Sequence, residues 1–235
     1  MKAHRVKKLD ATGPLAENAA RIVLVRVEEL RSFAPRALDP EAAVVQHDMR
    51  IAAKRLRYVL EATGFCFGRP AAIARKRAKE IQDLLGEVHD ADVMLPRLAE
   101  HRASLIDADA AAVRERAGDA EDVEPGLAAL APHRTSYRGL DVFEVHLRAR
   151  RALLFDRFSA LWKETEERGV WRLLSRAADN EIARAAEARR AAERAARARE
   201  ALEEAERVRQ EASERATRAA AELAEAEAEA GPPTD

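Results

Sequence analysis

Hydrophobic residues recur every three or four positions along much of the chain, and this spacing predicts amphipathic α-helices. The pattern indicates four helical regions, over residues 14–33, 39–64, 71–101 and 126–174. Asp39 and Pro40 are typical of an N-cap and a first turn, and Pro96 is expected to kink or end the third helix. Residues 107–125, rich in Ala, Asp and Glu, are expected to form an exposed connection or a frayed helical end.

The same spacing identifies the residues expected to form a core. No stretch alternates apolar and polar residues as a half-buried strand would. The fold class is therefore predicted to be all-α, and an antiparallel four-helix bundle would bury four apolar stripes. The predicted core residues are Val23, Val27, Leu30, Val45, Met49, Ala52, Leu56, Val59, Leu60, Ile81, Leu84, Leu85, Val88, Leu95, Leu140, Phe143, Leu147, Leu154, Phe158, Leu161 and Trp162.

The composition changes after residue 176. The last 59 residues contain 22 alanines, no lysine and no aromatic residue, and they repeatedly place Glu four residues before Arg, as in Glu203 and Arg207. Alanine and such pairs both favour a helix, so residues 177–230 are predicted to form an extended charged helix. Its large apolar residues are few, which leaves a coiled coil, a solitary helix and a tail packed on the bundle all open.

The predicted organisation is thus a helical bundle over residues 14–176 and a charged helix over residues 177–230, with flexible termini at residues 1–13 and 231–235. The lone Cys66 cannot form an internal disulfide, and no apolar run reaches the roughly 18–20 residues that span a bilayer. The N-terminus lacks the apolar stretch of a secretory signal. The sequence therefore predicts a cytoplasmic protein with no membrane partner.

Positive charge is concentrated in one part of the chain. The net charge is −1, yet residues 47–79 contain nine basic and only two acidic residues. On a helical wheel His47, Arg50, Lys54 and Arg57 fall within an arc of about 80°, opposite the apolar stripe. A second patch on the third helix consists of Arg75, Lys76 and Lys79, followed on the same face by Gln82, Asp83, Gly86 and Asp90. These two patches predict a surface that binds an anion.

Two motifs within this region resemble the CHAD family, the conserved histidine α-helical domain. They are VVQHDMRIAAKRLRYVLE and, about twenty residues later, RKRAKEIQDLLGEVHDADVMLPRL. The resemblance covers residues 14–176 and implies helical bundles with a basic surface whose characteristic ligand is inorganic polyphosphate. Together with Arg75 of the second patch, the anion-contacting residues that it implies are His47, Arg50, Lys54, Arg55, Arg57, Lys76 and Lys79.

The sequence departs from the family pattern at three points. His89 and Lys54 stand where the motifs have arginine, and the charged tail stands where the family has a second helical bundle. Lysine keeps the charge of arginine but loses its two-pronged hydrogen bonding. Either a homodimer rebuilds the missing half, which is the interpretation favoured here, or a single bundle binds with half the surface.

Other functions compete with polyphosphate binding. Nucleic acid is the main alternative anion, but single-strand binders stack bases on aromatic residues, and only Tyr58 lies on the basic helix. The pairs His47–Asp48 and His89–Asp90 resemble the dyads of HD-type metal-dependent phosphohydrolases, although neighbouring cations would repel a divalent metal. A scaffold acting through its tail is compatible with anion binding. We therefore predict a non-enzymatic polyphosphate-binding protein without a cofactor, docking to polyphosphate chains or granules.

Overall fold

The computed structural model describes the backbone of residues 2–229 and the side chains of residues 2–226, and within these bounds it contains helices and no strand. The prediction of an all-α fold is confirmed. The six α-helices are α1 (Leu15–Ala37), α2 (Ala43–Thr63), α3 (Arg69–Ala117), α4 (Pro125–Ala128), α5 (Ser136–Glu167) and α6 (Val170–Glu229), and a short 3₁₀ turn (Gly64–Cys66) links α2 to α3.

One apolar core unites α1, α2, α3, α5 and the beginning of α6. Most of the residues predicted from spacing are buried in it, whereas Phe143 is exposed. Two aromatic contacts anchor its α5 side, because the Phe155 and Phe158 rings lie 6.1 Å apart and the Trp162 and Trp171 rings lie at the same distance. The largest side chains that are fully buried include Trp171, Phe158, Leu30, Met49, Leu56, Ile81, Leu85 and Leu174.

The predicted and observed helices differ in three places. Helix α2 begins at Ala43 rather than at Pro40, because the Asp39 carboxylate accepts a hydrogen bond from the Glu41 backbone N–H (3.0 Å) in a turn before the helix. Helix α3 continues through Pro96 to Ala117, so part of the predicted connection is helical. The region predicted over 126–174 is divided between α5 and α6 at Gly169, whose φ of 64° interrupts the helix.

The N-terminal segment before α1 is not helical but makes specific contacts. The backbone carbonyl of His4 accepts a hydrogen bond from Arg26, and the Asp10 backbone N–H donates one to the Asn18 side chain (2.9 Å). These contacts attach residues 2–13, which were expected to be flexible, to α1 at two points. The other predicted flexible end, residues 231–235, lies outside the described residues.

Contacts divide the chain after Ile182, six residues beyond the predicted boundary. The part that follows consists of the remainder of α6, in which Leu202, Val208 and Leu223 are exposed. Arg207 pairs with Glu204 (2.7 Å) rather than with Glu203. The long charged helix is present, and the coiled coil remains a prediction. Within the described residues, every helix is either too short or too polar to cross a bilayer.

A buried carboxylate that the sequence did not suggest joins α3 to the start of α5. Asp109 is 5% exposed, accepts hydrogen bonds from the Tyr137 hydroxyl and the His133 backbone N–H (3.1 Å), and contacts His133 Nδ1 (2.8 Å). Burial by itself would raise the pKa of Asp109, but the hydrogen bonds from Tyr137 and His133 lower it below its usual value. The hydrogen bond to Asp109, with burial adding to its effect, raises the pKa of Tyr137 to about 12.

This cluster makes an alkaline titration informative. With Tyr58→Phe, Tyr137 becomes the only tyrosine of the chain, and its phenolate absorbance should appear with a midpoint near pH 12. The stabilisation from the neutral hydroxyl is complete below the unfolded pKa of about 10 and is lost as the pH rises through the folded value. Adding Asp109→Asn should lower the midpoint. A midpoint near 10 in protein that circular dichroism shows to be folded would contradict the hydrogen bond.

Candidate functional site

Helices α2 and α3 pack antiparallel, and their polar contacts define one continuous line, which we call the α2–α3 seam. It consists of His47, Arg50 and Arg57 of α2 facing His89, Gly86 and Gln82 of α3, respectively. The His47 and His89 rings lie 4.4 Å apart, and Arg57 Nε donates to Gln82 Oε1 (3.0 Å). The seam thus places the predicted basic face of α2 along the polar face of α3.

Gly86 provides space for Arg50 at the centre of the seam. A Cβ built on Gly86 would lie 3.4 Å from Arg50 Nε. The nearest neighbour of this glycine across the seam is therefore the Arg50 side chain. Because 3.4 Å is an ordinary van der Waals distance, alanine at this position would be in contact with Arg50 without a severe clash.

Arg57 is held in one direction by three neighbours. Besides the bond to Gln82, its Nη1 pairs with Glu61 (2.6 Å), and its guanidinium lies 4.3 Å from the centre of the Tyr58 ring. The Lys54 ammonium lies 5.8 Å from the same ring centre. Tyr58 is therefore covered in part by two cations, which leaves less of its face open to a stacking base.

Three cations near the seam lack an acidic partner. Among the side chains of residues 2–226, Arg50, Lys54 and Arg75 take part in no ion pair. Lys76 lies 3.9 Å from Glu80, and Lys79 pairs with Asp83, both in exposed contacts one turn apart on α3. Exposed pairs of this kind contribute at most about 1 kcal/mol, so an anion with several charges can compete for these lysines.

Arg55 lies on a different side of α2 from the seam. Its Nη1 pairs with Glu29 of α1 (2.8 Å), and Glu29 is fully buried. On the wheel Arg55 is about 140° from Arg50, in agreement with this contact. Of the eight predicted anion-contacting residues, Arg55 is the one that pairs with a buried acid of α1 and does not lie at the seam.

The histidine pair was not foreseen as a contact. The sequence indicated no partner for His89, yet its ring contacts the His47 ring at a tilt of 46°. A signal for the contact was available: His47 and Arg50 are three residues apart on α2, as Gly86 and His89 are on α3. In an antiparallel pair, a contact between Arg50 and Gly86 therefore brings the two histidines together.

The surroundings of His47 disfavour a positive charge on its ring. Burial, together with the neighbouring His89 and Arg50, lowers the pKa of His47, and Asp48 opposes them only in part. Both His47 Nδ1 and Arg50 Nε are buried without a hydrogen-bond partner among the described residues. Buried polar atoms nearly always have partners, so these two mark the most poorly satisfied point of the seam.

Metal binding would require more ligands than the histidine pair provides. Zinc and similar ions take three or four protein ligands in most sites. In the part of the chain that the structure describes, no group of three or more His, Cys, Asp or Glu side chains is arranged to hold a metal ion. The residues gathered at the seam are mainly cations and hydrogen-bond donors.

The part of the chain that carries the seam is similar in sequence to one known family. The family model of the CHAD domain matches residues 2–99, which include α1, α2, the beginning of α3 and every predicted anion-contacting residue. The first part of this chain is therefore similar to a CHAD domain, and CHAD domains are associated in general with polyphosphate binding. No curated protein and no solved structure gave a match.

Proposed function

We propose that the chain binds inorganic polyphosphate along the α2–α3 seam and the cations beside it. The observation that carries this proposal is the set of three cations without acidic partners, Arg50, Lys54 and Arg75, in the region that matches the CHAD domain. Like charges spaced three and four residues apart on a helix repel one another. A polyanion laid along the seam would remove that repulsion.

The chemistry of the ligand fits the residues that the seam offers. Polyphosphate carries about one negative charge per phosphate and has no base to stack, so its binder needs a row of arginine and lysine. From His47 to Arg57 the α2 face extends about 15 Å, since a helix rises about 1.5 Å per residue. Lys76 and Lys79 lengthen this row on α3. Several consecutive phosphates can therefore be contacted without any aromatic lining.

The wider role that we propose is binding without catalysis. The protein would attach to polyphosphate chains or granules in the cytoplasm, and a homodimer would place two seams on one ligand. The competing phosphohydrolase has one observation in its favour, the meeting of His47 and His89. Arg50 lies in the same seam and would repel a divalent cation, so an anion is favoured as the ligand of the seam.

Titration calorimetry with polyphosphate at two salt concentrations tests the proposal. We expect tight binding that weakens as salt rises, because released counterions contribute to affinity. Single-stranded DNA of matched charge serves as competitor and should fail to displace polyphosphate, since Lys54 and Arg57 cover part of Tyr58, the aromatic residue of the basic face. Equal binding of both polymers would indicate a generic basic surface, and absence of polyphosphate binding would refute the proposal.

A further inference from the structure

We propose that the His47–His89 pair couples polyphosphate binding to proton uptake, so that the seam holds its ligand more tightly as the pH falls through the range in which histidine titrates. This inference rests on the proposed function and adds a regulation to it. It arises from the contact between His47 and His89, whose rings lie 4.4 Å apart in the seam. The ligand surface thus contains two titratable groups side by side.

The geometry opposes protonation while the seam is empty. Two imidazole rings 4.4 Å apart repel each other when both are charged, and Arg50 adds a permanent positive charge beside them. His47 Nδ1 is buried and has no acceptor among the described residues. A proton on that nitrogen therefore has no hydrogen-bond partner in the empty seam.

The acidic groups around the pair do not cancel this repulsion. On α2, Asp48 acts on His47 in the favourable direction but is outweighed. On α3, Glu87 and Asp92 are one turn or less from His89, yet both are engaged by arginines of α5, Arg150 and Arg151 respectively. The exposed Asp90 is the remaining acid beside His89. At His47, burial, the neighbouring His89 ring and Arg50 therefore outweigh the effect of Asp48.

A bound polyanion makes protonation of the histidine pair more favourable. Its negative charge lies along the same seam, where it offsets Arg50 and favours the protonated form of one or both rings. By linkage, whatever ligand favours the protonated state is itself bound more tightly by that state. The affinity should therefore increase as the pH falls from the pKa of the occupied seam to that of the empty seam, by at most tenfold per pH unit for each proton taken up.

Calorimetry in buffers of different ionisation enthalpy counts the protons directly. We expect the wild-type protein to take up between about half a proton and two protons per binding event near pH 6.5, and close to none at pH 8.5, since histidine titrates near 6.5. Long polyphosphate chains are used because they have few titrating end groups, so that the ligand itself contributes few protons. His101→Gln with His146→Gln, two exposed histidines distant in sequence, is the matched control and should behave as wild type.

Two variants separate the pair from the ligand's own titration. His89→Gln should reduce the proton count, and His89→Arg, which restores the motif residue, should also reduce it while binding at pH 8.5 becomes several-fold tighter. The inference is overturned if wild type binds polyphosphate without excess proton uptake, or if His89→Arg retains the wild-type proton count. Absence of binding at every pH would instead defeat the proposed function, so the two failures are distinguishable.

Discussion

Reversing two charges on α2, by Arg50→Glu with Lys54→Glu, should weaken polyphosphate binding by at least about a hundredfold. A hydrogen bond to a charged group contributes about 1.5–3 kcal/mol, and each 1.4 kcal/mol is a factor of ten in affinity. Both side chains lack an acidic partner in the described structure, so no ion pair is broken. Helicity and the melting temperature should therefore change little. Calorimetry and circular dichroism on the same preparation measure both effects.

A variant with the same change in net charge provides the control. Arg134→Glu with Arg138→Glu alters two exposed arginines at the far end of the α3–α5 pair, next to Tyr137. It should reduce the affinity by no more than a few-fold, through the long-range field alone, and this residual effect should decrease as salt is added. If the Arg50 and Lys54 double variant bound as tightly as this control, the seam would not be the binding site.

The basic face could be predicted from the sequence because it depends on spacing within one helix. His47, Arg50 and Lys54 share a face whatever packs against it, and the apolar stripe opposite determines which side is buried. Two features of the site could not be predicted from spacing within one helix. The stacking of His89 on His47 depends on the register between two helices. The pairing of Arg55 with the buried Glu29 depends on where α1 lies.

The length of α3 was underestimated for a related reason. Proline removes one backbone hydrogen bond and disfavours the preceding turn, so local preference indicated an end near Pro96. In the folded protein, contacts on both sides of this residue hold the helix: Asp92 pairs with Arg151, and Asp109 binds Tyr137 and His133. Packing against α5 thus outweighs the local preference, and such packing is not visible in a window of neighbouring residues.

Truncation of the buried Glu29 should strongly reduce stability. Its carboxylate pairs with Arg26 and with Arg55 and accepts a hydrogen bond from the His4 backbone N–H (3.4 Å). Glu29→Ala would leave Arg26, itself buried, with the His4 carbonyl and no counter-charge. Removing one member of a buried ion pair costs about 3–5 kcal/mol. Denaturant unfolding should show this loss.

An exposed ion pair of α5 gives the comparison. Glu144→Ala removes the partner of Arg148, one turn away on the surface, and should change the free energy of unfolding by about 0.5 kcal/mol or less. A loss below about 1 kcal/mol for Glu29→Ala would mean that water replaces the carboxylate and that the cluster contributes little. Such a result would contradict the burial seen at this position.

Glu29→Ala and Arg55→Ala together decide whether Arg55 contacts the ligand. The ion pair with Glu29 holds Arg55 away from the seam. Arg55→Ala should therefore leave polyphosphate affinity within about twofold of wild type. It should lower stability, because it removes one of the two arginines paired with the buried acid. If Arg55 contacts the ligand, Arg55→Ala would instead lose affinity, as is expected of the Arg50→Glu and Lys54→Glu double variant. Glu29→Ala, assayed under conditions in which it stays folded, would then release Arg55 and bind more tightly. If Arg55→Ala weakened polyphosphate binding and Glu29→Ala strengthened it, Arg55 would belong to the anion-binding surface. If neither variant changed the affinity, Arg55 would serve only the packing of α1 on α2.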